Sequence, residues 1–565
     1  MRSRSVQWLC VLAVAVGLAG CGGAAGGDAE LGAWRFRAAG SSQWVPVAVP
    51  GLPRGPQRYG GGTGTWRASL TVRRTGLYEI DVGSANRVAT GFVDGRRVCS
   101  HVGAYEPFSC TARLGAGRHA FELRLEWRDP RRARRQGYDR GWFNWGGLAW
   151  PVTVRRVGAL DLARPRVWTH LLAGGGARVM VTVDVTGAAA SVRGTLRRGG
   201  DAVALRFGPV SRAHRTVTAR VVIPRPALWS PAHPNLYDLE VRAPGAAPVR
   251  LRVGLRELSW SAAGLRLNGR RVRLRGATLP PDAQGHGDAL TPADEARIVA
   301  ELGAVGADAA RSQLPLSDSM LARLDAAGIL VWQEVGPFTR AGDWHGDPAS
   351  ARHRALATAL REQPHPSVVA WSLVNEAAGQ GRPNGQVEYV RTTASALHEA
   401  DPGRPVVAGI WGAHPPRAPG PMYAPLDGLA VTDYVGWYDD VGVPPAAQDR
   451  IALGRLQALR ALFPGKLVVV GELGAAANAR TPGTARGSFA YQAALLLRRI
   501  AAYRGDDVFV FSLRDYALRP GFTGGRAAAL GFRGTPGIND KGLFDLSGRP
   551  KPAAGAVRAA FLRGS

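Results

Sequence analysis

Two apolar runs in this chain each close on a glutamate. One is His365-Pro366-Ser367-Val368-Val369-Ala370-Trp371-Ser372-Leu373-Val374-Asn375-Glu376, and the other is Leu467-Val468-Val469-Val470-Gly471-Glu472. Runs this apolar fill strands that are buried on both faces, as in a parallel sheet. A carboxyl at the end of such a strand has no packing role. Where eight parallel strands close into a barrel, their carboxyl ends form the active-site face. Two carboxylates meeting there can act as acid/base and nucleophile in the cleavage of a glycosidic bond. Asn375 adds an amide able to hold a sugar 2-hydroxyl, a contact that strengthens in the transition state. For either glutamate alone, a salt bridge to one of the many arginines is the plain alternative.

The elements needed to position such a pair are legible. From residue 257 the chain alternates strands and helices. Strands are expected at 271–276, 307–311, 329–334, 368–376, 406–410, 429–435, 467–472 and 508–513. A helix is expected at 292–302, capped by Thr291, and another at 316–327. This pattern predicts a (β/α)₈ (TIM) barrel over residues 257–565. Residues 31–157 read as short β runs between Gly- and Pro-rich turns, and residues 158–256 as alternating strands at 178–185, 217–223 and 238–242. The fold class is therefore multidomain, β plus α/β, with two β-sandwiches ahead of the barrel.

With 565 residues, 45% hydrophobic and 20% charged, several folded domains are expected rather than disorder. The formal charge of +29 invites a nucleic-acid partner. The basic residues, however, are spread along the chain and are arginine except for Lys466, Lys541 and Lys551. That looks like a coding bias, and no nucleic-acid partner is expected. The dense run Arg128–Arg135 reads as an exposed loop, with contact to acidic envelope polymers or lipid headgroups as the alternative. At the start, Arg2 and Arg4 precede an apolar core from Val6 to Leu18 that is too short to span a bilayer. Leu18-Ala19-Gly20-Cys21 resembles a bacterial lipobox, so residues 1–20 are expected to be a signal peptide, Cys21 the lipidated residue and residues 21–30 a flexible tether. An ordinary cleaved signal with a chance cysteine is the alternative. The lipobox implies an exported protein, lipid-anchored at the bacterial cell envelope, with the membrane as a partner. Cys99 and Cys110 then remain as an even pair in an exported chain, read as a disulfide. Neither has the neighbours of a metal site.

Longer motifs carry a family resemblance. Gly64-Thr65-Trp66-Arg67, Val93-Asp94-Gly95-Arg96-Arg97-Val98, Gly103-Ala104-Tyr105-Glu106-Pro107-Phe108 and Trp145-Gly146-Gly147-Leu148-Ala149-Trp150 fit a jelly-roll sugar-binding domain. Leu228-Trp229-Ser230-Pro231 with Pro234-Asn235-Leu236-Tyr237 fits an immunoglobulin-like domain. Together with Asn375-Glu376, Tyr434-Val435-Gly436-Trp437-Tyr438 and Glu472, they make the chain similar to glycoside hydrolase family 2. The resemblance implies an exo-acting, retaining β-glycosidase without an organic cofactor, acting on a β-linked glycoside or oligosaccharide, and leaves an ion requirement open. It implies Glu376 as acid/base, Glu472 as nucleophile, Asn375 on the 2-hydroxyl, Tyr434 orienting Glu472, and Arg311 pairing with the nucleophile.

Some positions depart from the family pattern. Pro280-Pro281-Asp282 stands where His-Glu-Asp is usual, keeping Asp282 as a substrate-binding candidate. Gln313 lies in the run where a His is usual, and Phe511 replaces a tryptophan floor on strand eight. Asn539-Asp540-Lys541-Gly542 matches the segment with which β-glucuronidases grip the sugar carboxylate, so Asn539 and Lys541 are candidates for that role. Gln136-Gly137-Tyr138 through Asn144 resembles a second glucuronidase segment, with Gly141 at its Asp position. A β-glucuronidase is therefore favoured. A β-galactosidase or β-mannosidase of the same family, and a carbohydrate-binding lipoprotein that has lost turnover, stay open. The sequence leaves the oligomeric state undefined.

Overall fold

The computed structural model describes residues 28–53, 61–127, 142–143, 145–187, 191–211, 215–336, 348–377, 385–519 and 526–563. The expected signal peptide, Cys21, most of the tether, the Arg128–Arg135 run, and residues 136–141 and 144 lie outside them.

Nine strands between Ala29 and Val157 form two facing antiparallel sheets. Thr63–Val72 shows why: Gly64, Trp66, Ala68, Leu70 and Val72 are buried, while the residues between them are exposed or half-buried. A strand's period of two then gives one core face. Trp66, Tyr78, Ile80, Phe121 and Leu123 fill the space between the sheets. The first strand begins at Ala29, pairing with Val72, so the tether is shorter than its expected end at residue 30. Asp94 and Gly95 turn the hairpin with φ of 49° and 78°. Such a two-residue turn needs positive φ at both places, and Asp and Gly tolerate it.

Cys99 and Cys110 form a disulfide with Cα atoms 5.0 Å apart, joining an edge strand of one sheet to an edge strand of the other. Closing a loop of this size stabilises a domain by about 2 to 3 kcal/mol. Cys110→Ser is therefore expected to lower the denaturation free energy of the sandwich by that amount, and mass spectrometry of the unreduced wild type should show the two peptides linked. Two freely alkylated thiols would contradict the pairing.

The second sandwich sets Asp161–Leu171, Ala177–Thr186 and Thr216–Ile223 against Asp201–Arg206, Arg193–Arg198, Tyr237–Arg242 and Val249–Val253. Val179, Val181, Val183, Leu196, Leu239 and Val241 make its core. Its Trp229 corner is fully buried, and the indole N–H donates to Asp325 O of the barrel at 2.9 Å. The Tyr237 hydroxyl accepts from Ala227 N at 2.7 Å. The corner is a structural anchor.

The barrel closes from eight parallel strands: Arg275–Thr278, Ala309–Ser312, Leu330–Glu334, Val368–Ser372, Val406–Ile410, Gly428–Asp433, Leu467–Leu473 and Val508–Val510. Every residue of the second to eighth is buried, as strands covered by helices outside and packed side chains inside require. Leu258, Leu265 and Leu267 of a preceding hairpin join Trp332, Val407, Val469 and Phe509 in the barrel interior. The first helix, Pro292–Ala304, has the expected Thr291 cap, completed by Asp294 as a capping box. The second, Asp318–Ala327, starts two residues later than expected because the Ser317 side chain caps it.

Three strand bounds differ from expectation by three residues or more. The first strand starts at Arg275 rather than 271, because Arg270–Arg271 folds back on Arg266 and Leu267. The fourth ends at Ser372, so Glu376 lies four residues beyond it, in a left-handed conformation with φ of 47°. The eighth ends at Val510, where the backbone turns away and Ser512 N donates to Lys541 O. Phe511 is thus one residue past its strand.

Candidate active site

Alternate residues of a barrel strand face the axis. At mid-height the inward set is apolar and includes Ala309, Trp332, Ala430, Val469 and Phe509. One step toward the carboxyl ends, the same alternation brings in Arg311 and Glu334, and Tyr434 follows two steps beyond Ala430, just past the end of its strand. Glu472 is out of phase with Val469, since alternation would aim Gly471 inward instead. A β-bulge corrects this: Val431 pairs with Val470, but Thr432 pairs with Glu472, so Gly471 is skipped. A Cβ at Gly471 would sit 2.8 Å from Ala430 Cβ, too close for any side chain.

The result is a buried cluster around one arginine. Arg311 donates from Nη1 to Glu472 Oε1 at 2.6 Å and from Nη2 to Asn375 Oδ1 at 2.7 Å. The same Nη2 also donates to Glu334 Oε1. Gln313 Nε2 gives a second hydrogen bond to Glu472 Oε1 at 3.0 Å, and the Tyr434 hydroxyl donates to Oε2 at 2.6 Å. Both oxygens of Glu472 are therefore oriented by donors, one of them a cation. Burial opposes the charge on Arg311, but the Glu334 and Glu472 carboxylates outweigh it and hold the guanidinium firmly protonated. Burial, and after it the Glu472 carboxylate, push the Tyr434 phenol well above its ordinary value. Glu376 contributes to the same shift, which places its carboxyl within electrostatic reach of that phenol. Glu376 is half-buried, unlike the enclosed Glu472.

Beside Tyr434 lies Lys541, only 7% exposed. Its ammonium donates to the Tyr438 hydroxyl at 2.6 Å and stands 4.9, 5.4 and 5.5 Å from the ring centres of Tyr438, Tyr434 and Phe511. Among the described residues no carboxylate forms an ion pair with it. Lys551, by contrast, is neutralised by Asp515 at 2.7 Å.

Of the other expected site residues, Asn539 donates to the Tyr516 hydroxyl at 2.9 Å and accepts from Lys541 N at 3.1 Å, so it shapes the turn that carries the lysine. Asp282 is not joined to the Arg311 cluster by any described hydrogen bond. It accepts from Ala517 N at 3.1 Å, and burial, with Asp288 also raising it, pushes its carboxyl up to about 7. Asp288 in turn accepts from Asn86 and Tyr105 of the first sandwich at 2.7 and 2.8 Å. Asp288 thus ties the barrel to the first sandwich, whereas the hydrogen bond of Asp282 to Ala517 stays within the barrel domain.

Sequence reasoning gave no role to Glu334, although it ends an apolar run as the two flagged glutamates do. Gln313, a departure from the family pattern, donates to Glu472 while its Oε1 accepts from the Trp142 indole at 3.3 Å. The sequence likewise assigns no role to Tyr438, whose hydroxyl accepts from Lys541.

Comparison with known proteins bears on the family and the fold. Residues 261–455 match the model for the TIM barrel domain of glycosyl hydrolases family 2, and residues 162–256 match a further model of the same family. Together they span just over half of the chain. A β-glucuronidase of Paenibacillus borealis is 26% identical over 531 residues, covering 85% of this chain and 83% of that one. Two solved structures share the fold. A β-galacturonidase of Eisenbergiella tayi bound to galacturonate has a TM-score of 0.79 at 20% identity, over 95% of this chain and 97% of that one. A β-glucuronidase of Bifidobacterium dentium, complexed with coumarin-3-O-glucuronide, has a TM-score of 0.79 at 20% identity, over 95% and 96% of the two chains.

Proposed function

Because the chain belongs to glycoside hydrolase family 2, we propose that it hydrolyses β-D-glucuronides from their non-reducing ends with retention of configuration. In this reading Glu472 attacks the anomeric carbon while the bond from that carbon to the leaving oxygen breaks. Glu376 gives its proton to that oxygen. The resulting glycosyl ester on Glu472 is then opened by water, whose proton returns to Glu376. The donors from Arg311, Gln313 and Tyr434 suit an anionic nucleophile. Exposure suits Glu376 to a group that must meet leaving groups and water. In the same reading Asn375, held by Arg311, meets the 2-hydroxyl.

The observation that carries the sugar assignment is Lys541. A buried ammonium whose described hydrogen-bond partner is a neutral phenol is completed by an anion. A uronic acid brings one on its C5 carboxylate, and Phe511 and Tyr438 supply the apolar walls for the ring. A panel of 4-nitrophenyl β-glycosides tests the reading, with the glucuronide expected to turn over fastest. Hydrolysis of none would leave a carbohydrate-binding protein, and preference for the galactoside would leave a β-galactosidase.

The lipobox supports a second part of the proposal, that the protein is exported and held at the cell envelope through Cys21. Cys21→Ser is expected to move it from the membrane fraction to the soluble one. A single acyl chain anchors only marginally, so two or three are expected on the wild type. Unchanged fractionation would contradict the anchor.

A further inference from the structure

Among the described residues, Trp411 is the only exposed Trp, Tyr or Phe side chain, with 40% of its surface open. A lone exposed apolar residue is ordinary in itself. Its position is not. Trp411 directly follows the fifth barrel strand, Val406–Ile410, on the face that carries the carboxylates. The ladder between this strand and the Glu376 segment runs on to it: Ala377 N donates to Gly409 O at 2.8 Å, and Trp411 N donates to Ala377 O at 3.2 Å. Val407 faces the barrel interior, so the period of two puts positions 409 and 411 on the same side.

Gly409 fixes what that side meets. A Cβ there would lie 3.2 Å from Asn375 Cα and 3.1 Å from Glu376 N. Trp411 therefore stands one step nearer the mouth, alongside Glu376. Its surroundings hold it there. His414 N donates to Trp411 O at 3.0 Å, closing a turn, and the His414 ring meets the indole edge-on with centres 4.5 Å apart. Gly412 N donates to Thr432 Oγ1 at 3.1 Å, and a Cβ on Gly412 would fall 1.7 Å from Thr432 O. The turn is thus pressed onto the neighbouring strand.

We propose that Trp411, backed by His414, is the platform for the leaving group, a subsite that takes a flat ring on its open indole face. The assignment rests on Glu376 being the acid. That carboxyl must reach the glycosidic oxygen, so the group attached to the far side of this oxygen lies next to Glu376. Lys541 and Phe511, in contrast, adjoin Tyr434, on the side of the sugar that stays with Glu472. An indole face attracts an aromatic aglycone or the apolar face of a second sugar by the same dispersion and quadrupole forces.

The test compares wild type, Trp411→Ala and Trp411→Phe on 4-nitrophenyl β-D-glucuronide, a glucuronosyl disaccharide and methyl β-D-glucuronide. Trp411→Ala is expected to raise KM about five- to tenfold for the ring-bearing substrates, leave the methyl glycoside within about twofold, and be largely rescued in Trp411→Phe. The substrate that shows the larger change identifies the ring the platform favours. An equal loss on all three substrates, or no change on either ring-bearing one, overturns the proposal. Saturation-transfer NMR with phenyl β-D-thioglucuronide separates it from the hydrolase reading. Phenyl-proton signals present with wild type and lost with Trp411→Ala sustain the platform even if no glycoside is cleaved. Their absence from wild type overturns it whatever the turnover.

Discussion

Glu472→Gln is expected to lower kcat on 4-nitrophenyl β-D-glucuronide by on the order of 10⁴-fold or more, with the fold intact. The amide keeps the volume of the side chain but cannot form a glycosyl ester. It also presents an NH₂ group to a pocket built of donors, where Arg311 and Gln313 meet one oxygen and Tyr434 the other. With its oxygen toward Arg311 and Gln313, the amide turns its NH₂ to Tyr434, whose hydroxyl must then accept where it donated before. Circular dichroism and the melting temperature separate this local conflict from unfolding. Glu376→Ala makes the complementary case. Its loss is expected to be smallest for activated leaving groups, which need no proton, and azide should restore turnover as a β-glycosyl azide. Failure of azide to rescue any substrate would argue against Glu376 as the acid/base.

Lys541→Met is expected to have the next largest effect, and a selective one. With a uronide bound, removal of the ammonium leaves the sugar carboxylate enclosed among Tyr434, Tyr438 and Phe511 without a counter-charge. Breaking a buried pair in this way costs about 3 to 5 kcal/mol, or about 2 × 10²- to 5 × 10³-fold in kcat/KM. The β-galactoside carries no charge there, so its kcat/KM should change little. Methionine retains the length and apolar stem, which limits collapse of the aromatic walls. Equal losses on both substrates would mean that Lys541 supports the fold through its Tyr438 hydrogen bond.

The barrel was legible because its strands are buried on both faces and therefore apolar throughout. Val406–Ile410 falls on its expected residues, and the seventh strand runs one residue longer than expected. The two glutamates were legible for the same reason, as charges where packing asks for none. What composition could not reveal is how each is aimed. Gly471 within an apolar strand is a sign of a bulge, but only the pairing with Thr432 shows that it turns Glu472 inward. Glu376 reaches its place through four residues of irregular backbone past Ser372, for which the residue types give no rule. The contacts of Gln313, Lys541 and Trp411 depend on segments distant in sequence meeting at the barrel mouth, and no local pattern encodes them. Asp282 is legible only through its motif position, and its contact with Ala517 N is one that no local pattern encodes.

The most direct measurement traps the intermediate. A 2-deoxy-2-fluoro-β-glucuronosyl fluoride slows both steps but leaves its fluoride departing readily, so a retaining enzyme accumulates the ester. Peptide mass spectrometry after brief incubation is expected to find one 2-fluoroglucuronosyl group, on Glu472, and none in Glu472→Gln. A label on another carboxylate would displace Glu472 as nucleophile. No label, combined with NMR detection of the α-anomer as the first product from an ordinary β-glucuronide, would contradict retention itself.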